Sequence, residues 1–261
     1  MTARNFLIRG LLAGLFAGLI TFVVANVFGE PAVDAAIAVE EAGAADAAHD
    51  HADDGAAAQP HDDDGTEVSR ATQKTFGLGT ATIAVGTALG GLVGLVSAAT
   101  VGRIRRLTPA QSTGLVALAG FVSVALVPFL KYPATPPAVG NEDTIGSRTG
   151  LYFLYLLISV VAAALAVALG RYLSDRLRIV EAVTLAVAAY LVVVVGIGHL
   201  LPTVNEIGEF PGDTLWYFRR ASLITLATLW AAIGVVLSAL VGRLHERETA
   251  AARRRDLAAN L

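Results

Sequence analysis

Polar side chains whose types suggest chemistry are concentrated in three short stretches of this sequence. The richest is HDHADDGAAAQPHDDDG, residues 49–65, in which His49, His51 and His61 are surrounded by aspartates. Imidazole and carboxylate groups are ligands for divalent cations. The histidines lack the fixed spacing of a structural metal site. The stretch therefore either binds cations with modest affinity or serves as an acidic solubilising linker.

A second stretch, GIGHLLPTVNEIGEF, brings three different metal-binding groups close together along the chain. His199 is the only histidine within a long uncharged run, and Pro202 is expected to end its helix. Asn205 and Glu206 would then lie in irregular backbone just beyond that helix. An imidazole, an amide and a carboxylate suit Co²⁺, Ni²⁺ or Zn²⁺. The alternative is a histidine bonded to a backbone carbonyl group, with a solvated carboxylate nearby.

The third stretch, VPFLKYPATPPAVGNEDTIGSRTGLYF, is distinguished by its prolines. Pro133, Pro136 and Pro137 prevent a helix from continuing, so this loop should be rigid and extended. Lys131 and Tyr132, just before them, are also typical anchors at a membrane interface. Rigid backbone that is not helical is tolerated at the edge of a helix bundle where it lines a cavity. We therefore expect this loop to shape the mouth of such a cavity.

Six uncharged stretches of at least 20 residues must position these groups. A helix needs about 20 apolar residues to cross the hydrocarbon core of a membrane, and the chain is 55% hydrophobic with a mean hydropathy of +0.63. We predict an all-α fold, a single integral membrane domain over residues 1–261, with residues 30–74 as a disordered acidic loop rich in His and Asp. The predicted spans cover about residues 8–28, 77–101, 110–130, 150–170, 181–201 and 221–242.

Positive charge predicts the orientation of these spans. Short cytoplasmic loops collect Lys and Arg, and 13 of the 19 basic residues fall on one side if the N-terminus is inside. We therefore expect a multi-pass protein of the plasma membrane with both termini in the cytoplasm. All three polar stretches would then lie on the extracytoplasmic face.

Small residues recur at every fourth position in two predicted spans, and this spacing has two interpretations. Such stripes are common in any Gly-rich and Ala-rich bundle, or they allow the first two helices to pack closely on each other or on a partner's helix. Because the motif arises readily by chance in such spans, the first interpretation is preferred. The stripes consist of Gly10, Gly14 and Gly18 in the first span and Gly86, Gly90 and Gly94 in the second.

Several functions are disfavoured by what the sequence lacks. There is no cysteine, and the single methionine is Met1, so thiolate and thioether metal sites are excluded. No phosphate-binding loop, metalloprotease motif or nucleophile motif occurs, and no permanently bound cofactor is expected. Nor is there a basic soluble surface of the kind that binds nucleic acid. We expect a protein that is not an enzyme.

The second and third stretches also carry a family resemblance. The runs VPFLKYPATPPAVGNEDTIGSRTGLYF and HLLPTVNEIGEFPGDTLWYFRRASL, with a histidine-rich loop after the first span, resemble the CbtA family of cobalt transporter subunits. The resemblance implies Co²⁺ as substrate, a role in cobalt supply for cobalamin synthesis, and a small single-span partner, CbtB. It implicates two loops, with residues Lys131, Tyr132, Pro133, Pro136 and Pro137 in one and His199, Pro202, Asn205, Glu206, Phe210, Pro211, Trp216, Arg219 and Ser222 in the other.

The hypothesis that follows is a membrane subunit for uptake of cobalt or a similar divalent metal. The His/Asp-rich loop would capture the ion, and His199, Asn205 and Glu206 would bind it at the mouth of the bundle. A second hypothesis is a scaffold that does not transport but binds metal or a partner subunit through the same loops. Nickel demands ligands similar to those of cobalt.

Overall fold

Six long helices make up most of the part of the chain that the structure describes. The computed structural model describes residues 2–52, 69–103, 107–137 and 139–260, and the side chains of residues 45–52 and 142 are not described. Each of the six helices is long and apolar enough to cross a membrane, which confirms the predicted all-α bundle. We number them in chain order as span 1 (Ala3–Ala44), span 2 (Arg70–Thr100), span 3 (Pro109–Lys131), span 4 (Ile145–Ser174), span 5 (Ile179–Leu200) and span 6 (Gly212–Ala259).

The first three spans each contain a π-helical segment between α-helical parts. These segments are Ala25–Gly29, Gln73–Gly77 and Phe121–Leu126. In span 3 the wide turn comes just before Pro128, which has no amide hydrogen for the carbonyl group four residues earlier. The π-helical segments of spans 1 and 2 lie side by side. The side-chain amide of Asn26 donates a hydrogen bond to the Lys74 carbonyl oxygen at 3.2 Å and joins the two segments.

Local sequence signals define the helix ends that matter for the loops. Span 3 begins with a capping box. The Thr108 hydroxyl accepts a hydrogen bond from the backbone N–H of Gln111, and the side-chain oxygen of Gln111 accepts one from the backbone N–H of Thr108. Span 5 ends at Leu200, two residues before Pro202, as the proline predicts. Span 6 begins at Gly212, directly after Pro211. The prolines thus confine the irregular backbone to the loops.

Span 6 lies at the centre of the bundle. It packs against span 1 and the first half of span 3, and its side chains Ile233, Leu237 and Val241 are completely buried. Spans 4 and 5 pack on each other and join the rest of the bundle through the second half of span 3. As a result, a cleft separates the start of span 4 from span 6.

The glycine stripes of spans 1 and 2 pack directly against each other. A methyl group on Gly90 would lie 2.6 Å from the Cα atom of Gly14, and one on Gly10 would overlap the carbonyl oxygen of Gly90. Backbones can approach this closely only where side chains are absent. The preferred interpretation, an incidental abundance of small residues, is therefore wrong, and the alternative of close packing between the first two helices is correct.

The prediction of disorder across residues 30–74 is wrong at both ends of that range. Helix continues through Glu30–Ala52 and starts again at Arg70. Alanine, the strongest helix former, dominates the first part, so helix propensity outweighs the lack of apolar periodicity. Arg70 also forms ion pairs with Glu30 at 2.8 Å and Asp34 at 2.9 Å, which fasten spans 1 and 2 together. Residues 53–68 lie outside the described residues.

Candidate functional site

The loop that follows span 3 is fastened to the end of span 5. We call residues 132–141 the proline loop and residues 201–211 the glutamate loop. The Lys131 ammonium group donates to the carbonyl oxygen of Leu201 at 3.2 Å, and the Tyr132 hydroxyl donates to that of Pro202 at 2.9 Å. Both acceptors lie just beyond Leu200, the last residue of span 5. Lys131 and Tyr132 therefore supply donors to the first two carbonyl groups of the glutamate loop, and the lysine also complements the negative end of the helix.

Tyrosines continue this attachment into the bundle. The ring of Tyr132 meets that of Tyr155 edge to face, with centroids 6.0 Å apart. The Tyr155 hydroxyl donates to the Val194 carbonyl oxygen at 2.9 Å, and Ser159 and Tyr190 share a hydrogen bond of the same length. Burial raises the pKa of Tyr132, so its hydroxyl stays a neutral donor. The proline loop is therefore positioned by spans 4 and 5.

Glu206 connects the glutamate loop back to the proline loop and span 4. Its Oε2 atom accepts hydrogen bonds from the backbone N–H of Asn141 at 3.0 Å and from the Thr144 hydroxyl at 2.8 Å. The same atom lies 3.6 Å from Nε of Arg148. These contacts hold the pKa of Glu206 below its usual range. The hydrogen bond from Asn141 contributes most, the one from Thr144 comes next, and the charge of Arg148 contributes less. Glu206 is therefore ionised at neutral pH.

The remaining predicted metal ligands are placed as follows. His199 is exposed on the last turn of span 5, and Asn205 is exposed in the glutamate loop. Neither takes part in the contacts that fix Glu206. The described residues include no group of three or more His, Asp or Glu side chains arranged to hold a metal ion. His61 and the side chains of His49 and His51 lie outside what the structure describes, so the metal site stays a prediction.

A cleft of about 500 Å³ opens beside these loops, between the ends of spans 3, 4 and 6. Tyr132 and Pro133 of the proline loop form one wall. Arg148 of span 4 and Arg219 of span 6 also line it. Pro136 is buried and Pro137 half-buried within the proline loop. The cleft therefore combines a rigid wall with two guanidinium groups.

Other residues implicated by the resemblance have local roles. The Ser222 hydroxyl donates to the Phe218 carbonyl oxygen at 2.9 Å within its own helix. Trp216 is 63% exposed on the outside of span 6. The Phe210 amide donates to the carbonyl oxygen of Ile207 in a turn just before Pro211, which caps span 6.

Sequence reasoning missed three residues that organise this region. Asn141, Thr144 and Arg148 hold Glu206, yet none was predicted as a site residue. All three lie in the run NEDTIGSR. The density of amide, acid, hydroxyl and guanidinium groups in this run was the sequence feature that could have indicated a functional segment. Their importance depends on the contact with Glu206, which is 65 residues from Asn141 and 62 from Thr144 in the chain, and no local pattern reveals that contact.

Comparisons with known proteins bear on the chain as a whole. No curated protein and no solved structure matches it. One family model, described as "Probable cobalt transporter subunit (CbtA)", matches residues 3–242, which include spans 1 to 5, both loops and the larger part of span 6. The protein therefore belongs to the CbtA family.

Proposed function

We propose that this protein is the subunit of a divalent cobalt uptake system that captures the ion at the extracytoplasmic face of the plasma membrane and passes it through the helix bundle. Membership of a cobalt transporter subunit family supports cobalt as the substrate. Six apolar helices support a multi-pass membrane protein. The distribution of arginines favours cytoplasmic termini and an extracytoplasmic location for the two loops.

The observation that carries the proposal is the arrangement around Glu206. Its three described contacts all reach Oε2, and no described hydrogen bond or ion pair reaches Oε1. The carboxylate is ionised and held in place, with one oxygen left to bind a cation. Oxygen and imidazole ligands suit Co²⁺. We propose that Glu206 binds the ion together with Asn205 and His199.

The remaining parts of the proposal concern supply and partners. His49, His51 and His61, with their neighbouring aspartates, would raise the local cation concentration near the mouth of the bundle. A small single-span subunit of the CbtB type would complete the system. The protein would act without chemical conversion of its substrate, and Co²⁺ would be cargo rather than a resident cofactor.

Metal accumulation in cells tests this proposal. The chain is expressed with and without the small partner in a host that lacks other cobalt importers, and cell-associated cobalt, nickel and zinc are measured by mass spectrometry. We expect cobalt to accumulate and His199→Ala or Glu206→Gln to abolish the accumulation. Glu209→Gln is the matched control, because Glu209 is an exposed carboxylate of the same loop. Normal accumulation in both site variants would remove these residues from the mechanism.

A scaffold that does not transport is the second candidate. One observation favours it: the described hydrogen bonds and ion pair made by the side chains of Lys131, Tyr132 and Glu206 all hold the glutamate loop to the proline loop and to the neighbouring ends of spans 3 and 4. This alternative predicts that the chain binds the small partner but that no metal accumulates in either expression condition. Copurification of the two chains, measured beside metal content, distinguishes the candidates.

A further inference from the structure

Arg219 is a half-buried cation whose charge nothing in the described residues balances. It lies in the second turn of span 6, and its Nε atom is buried with no hydrogen-bond partner. No described residue forms an ion pair with its guanidinium group. A buried donor without a partner is costly, and a buried unpaired charge more so. Such a group is expected to have a partner that comes from outside the chain.

The surroundings of Arg219 indicate the charge of that partner. Among the described residues that line the cleft with Arg219 there is no Asp or Glu, and Arg148 adds a second guanidinium group to it. Arg148 is partly neutralised by Glu206 at 3.6 Å, so Arg219 contributes the excess positive charge. A bare divalent cation would be repelled from this cleft.

We propose that the cleft binds an oxyanion, a carboxylate or phosphate group, on the guanidinium group of Arg219, with Arg148 contributing from the opposite wall. A planar guanidinium group offers two parallel N–H donors, which match the two oxygens of such an anion. Thr149 and Tyr152 add hydroxyl groups to the lining.

The size and lining of the cleft fit a small organic anion. Its volume of about 500 Å³ is within the range of ligand pockets, roughly 300–1,000 Å³. Phe129 and Leu226 provide apolar walls, where a carbon skeleton or the start of an acyl chain can lie. The same chemistry is offered by a soluble carboxylate or phosphate and by the headgroup of an anionic lipid.

Binding of anions to the purified full chain tests the proposal, and no metal is present in the assay. Thermal unfolding in a neutral detergent is followed with citrate, inorganic phosphate or phosphatidylglycerol, against chloride at equal ionic strength and phosphatidylcholine. We expect at least one of the three anions to raise the unfolding temperature. A response to citrate or phosphate identifies a soluble oxyanion, and a response to phosphatidylglycerol alone identifies a lipid headgroup. No response to any of them would overturn the proposal.

A pair of neighbouring arginines provides the matched variants. Arg219→Gln should weaken the affinity for the anion about tenfold or more, since hydrogen bonds to charged groups are lost. Arg220→Gln changes the net charge equally but removes a side chain that lies over the Tyr217 ring, 4.9 Å from its centroid, so binding should persist. Equal weakening in both variants, or undiminished binding in Arg219→Gln, would contradict the assignment.

A third variant keeps the test decisive if Arg219→Gln does not fold. Leu226→Trp leaves both arginines in place and fills part of the cleft that Leu226 lines. It should also weaken anion binding, and unchanged affinity would mean that the anion binds elsewhere. Because cobalt takes no part in these measurements, failure of the anion site leaves the proposed transport function to its own experiment.

Discussion

The Tyr132 hydroxyl donates a hydrogen bond to the carbonyl oxygen of Pro202, 2.9 Å away, and so joins two loops that are 70 residues apart in the chain. The carbonyl groups of Leu201 and Pro202 follow the last residue of span 5 and need donors from elsewhere in the fold. Tyr132 and Lys131, held at the end of span 3, provide them. The position of the proline loop is therefore determined by where span 5 ends.

Tyr132→Phe removes this hydrogen bond while keeping the aromatic ring against Tyr155. We expect the free energy of unfolding to fall by about 0.5–1.5 kcal/mol, the usual net contribution of one hydrogen bond. Cobalt accumulation should fall as well, because the loop loses a fixed point next to Glu206. Unfolding in detergent and metal content of cells provide the two measurements. Tyr172→Phe is the control, since Tyr172 is 57% exposed; an equal loss there would refute the prediction.

Gly140→Ala should disturb the proline loop from its other end. Gly140 has a φ of +112°, a conformation that alanine rarely adopts, and a methyl group there would overlap the Arg148 guanidinium group. Backbone strain of this kind costs on the order of 1–3 kcal/mol. Because displaced Arg148 no longer supports Glu206, metal accumulation should drop together with stability.

A matched glycine variant separates this effect from a general consequence of adding a methyl group. Gly150 lies in span 4, and no atom of the described residues lies within 4 Å of a methyl group placed on it. Gly150→Ala should be neutral or stabilising by about 0.5–1 kcal/mol, because alanine favours helix. If both variants unfold at the same temperature as the unmodified protein, the strain assigned to Gly140 is wrong.

The helices of this protein could be predicted from sequence because each requires only a long run without charges. The all-α bundle of six spans is confirmed on that basis. Pro202 likewise predicts the end of span 5 at Leu200. Both features depend on local chemistry, namely the length of an apolar helix and the missing amide hydrogen of proline.

The contacts of the candidate site could not be predicted in the same way. Whether Arg148 meets Glu206 depends on spans 4 and 5 being neighbours, which packing decides. The helix at Glu30–Ala52 was missed for a different reason. Its acidic composition suggested disorder, although alanine propensity and the ion pairs of Arg70 favour helix.

Gly90→Ala should separate spans 1 and 2. A methyl group on Gly90 would lie 2.6 Å from Gly14 Cα, and helix backbone on both sides cannot yield locally. Overpacking of this kind costs about 1–3 kcal/mol, which lowers the unfolding temperature in detergent. Gly196→Ala in span 5 is the control, because no described atom lies within 4 Å of its added methyl group. A stable Gly90 variant would mean that the two helices do not pack through their glycines.

The contribution of Glu206 to stability should depend on pH in a defined direction. Hydrogen bonds from the backbone amide of Asn141 and then the Thr144 hydroxyl hold the pKa of Glu206 below its usual range in the folded protein. A carboxyl group with a lower pKa in the folded state stabilises the fold above its unfolded pKa, and this stabilisation is lost as pH falls through the folded pKa. Glu206→Gln should therefore unfold at a lower temperature than the unmodified protein at pH 7, and the difference should shrink below about pH 4.5. Thermal unfolding across pH 3–7 measures the difference, with the exposed Glu209→Gln as control. A difference that stays constant over this range, or that grows as pH falls, would show that the contacts at Oε2 do not favour the ionised form.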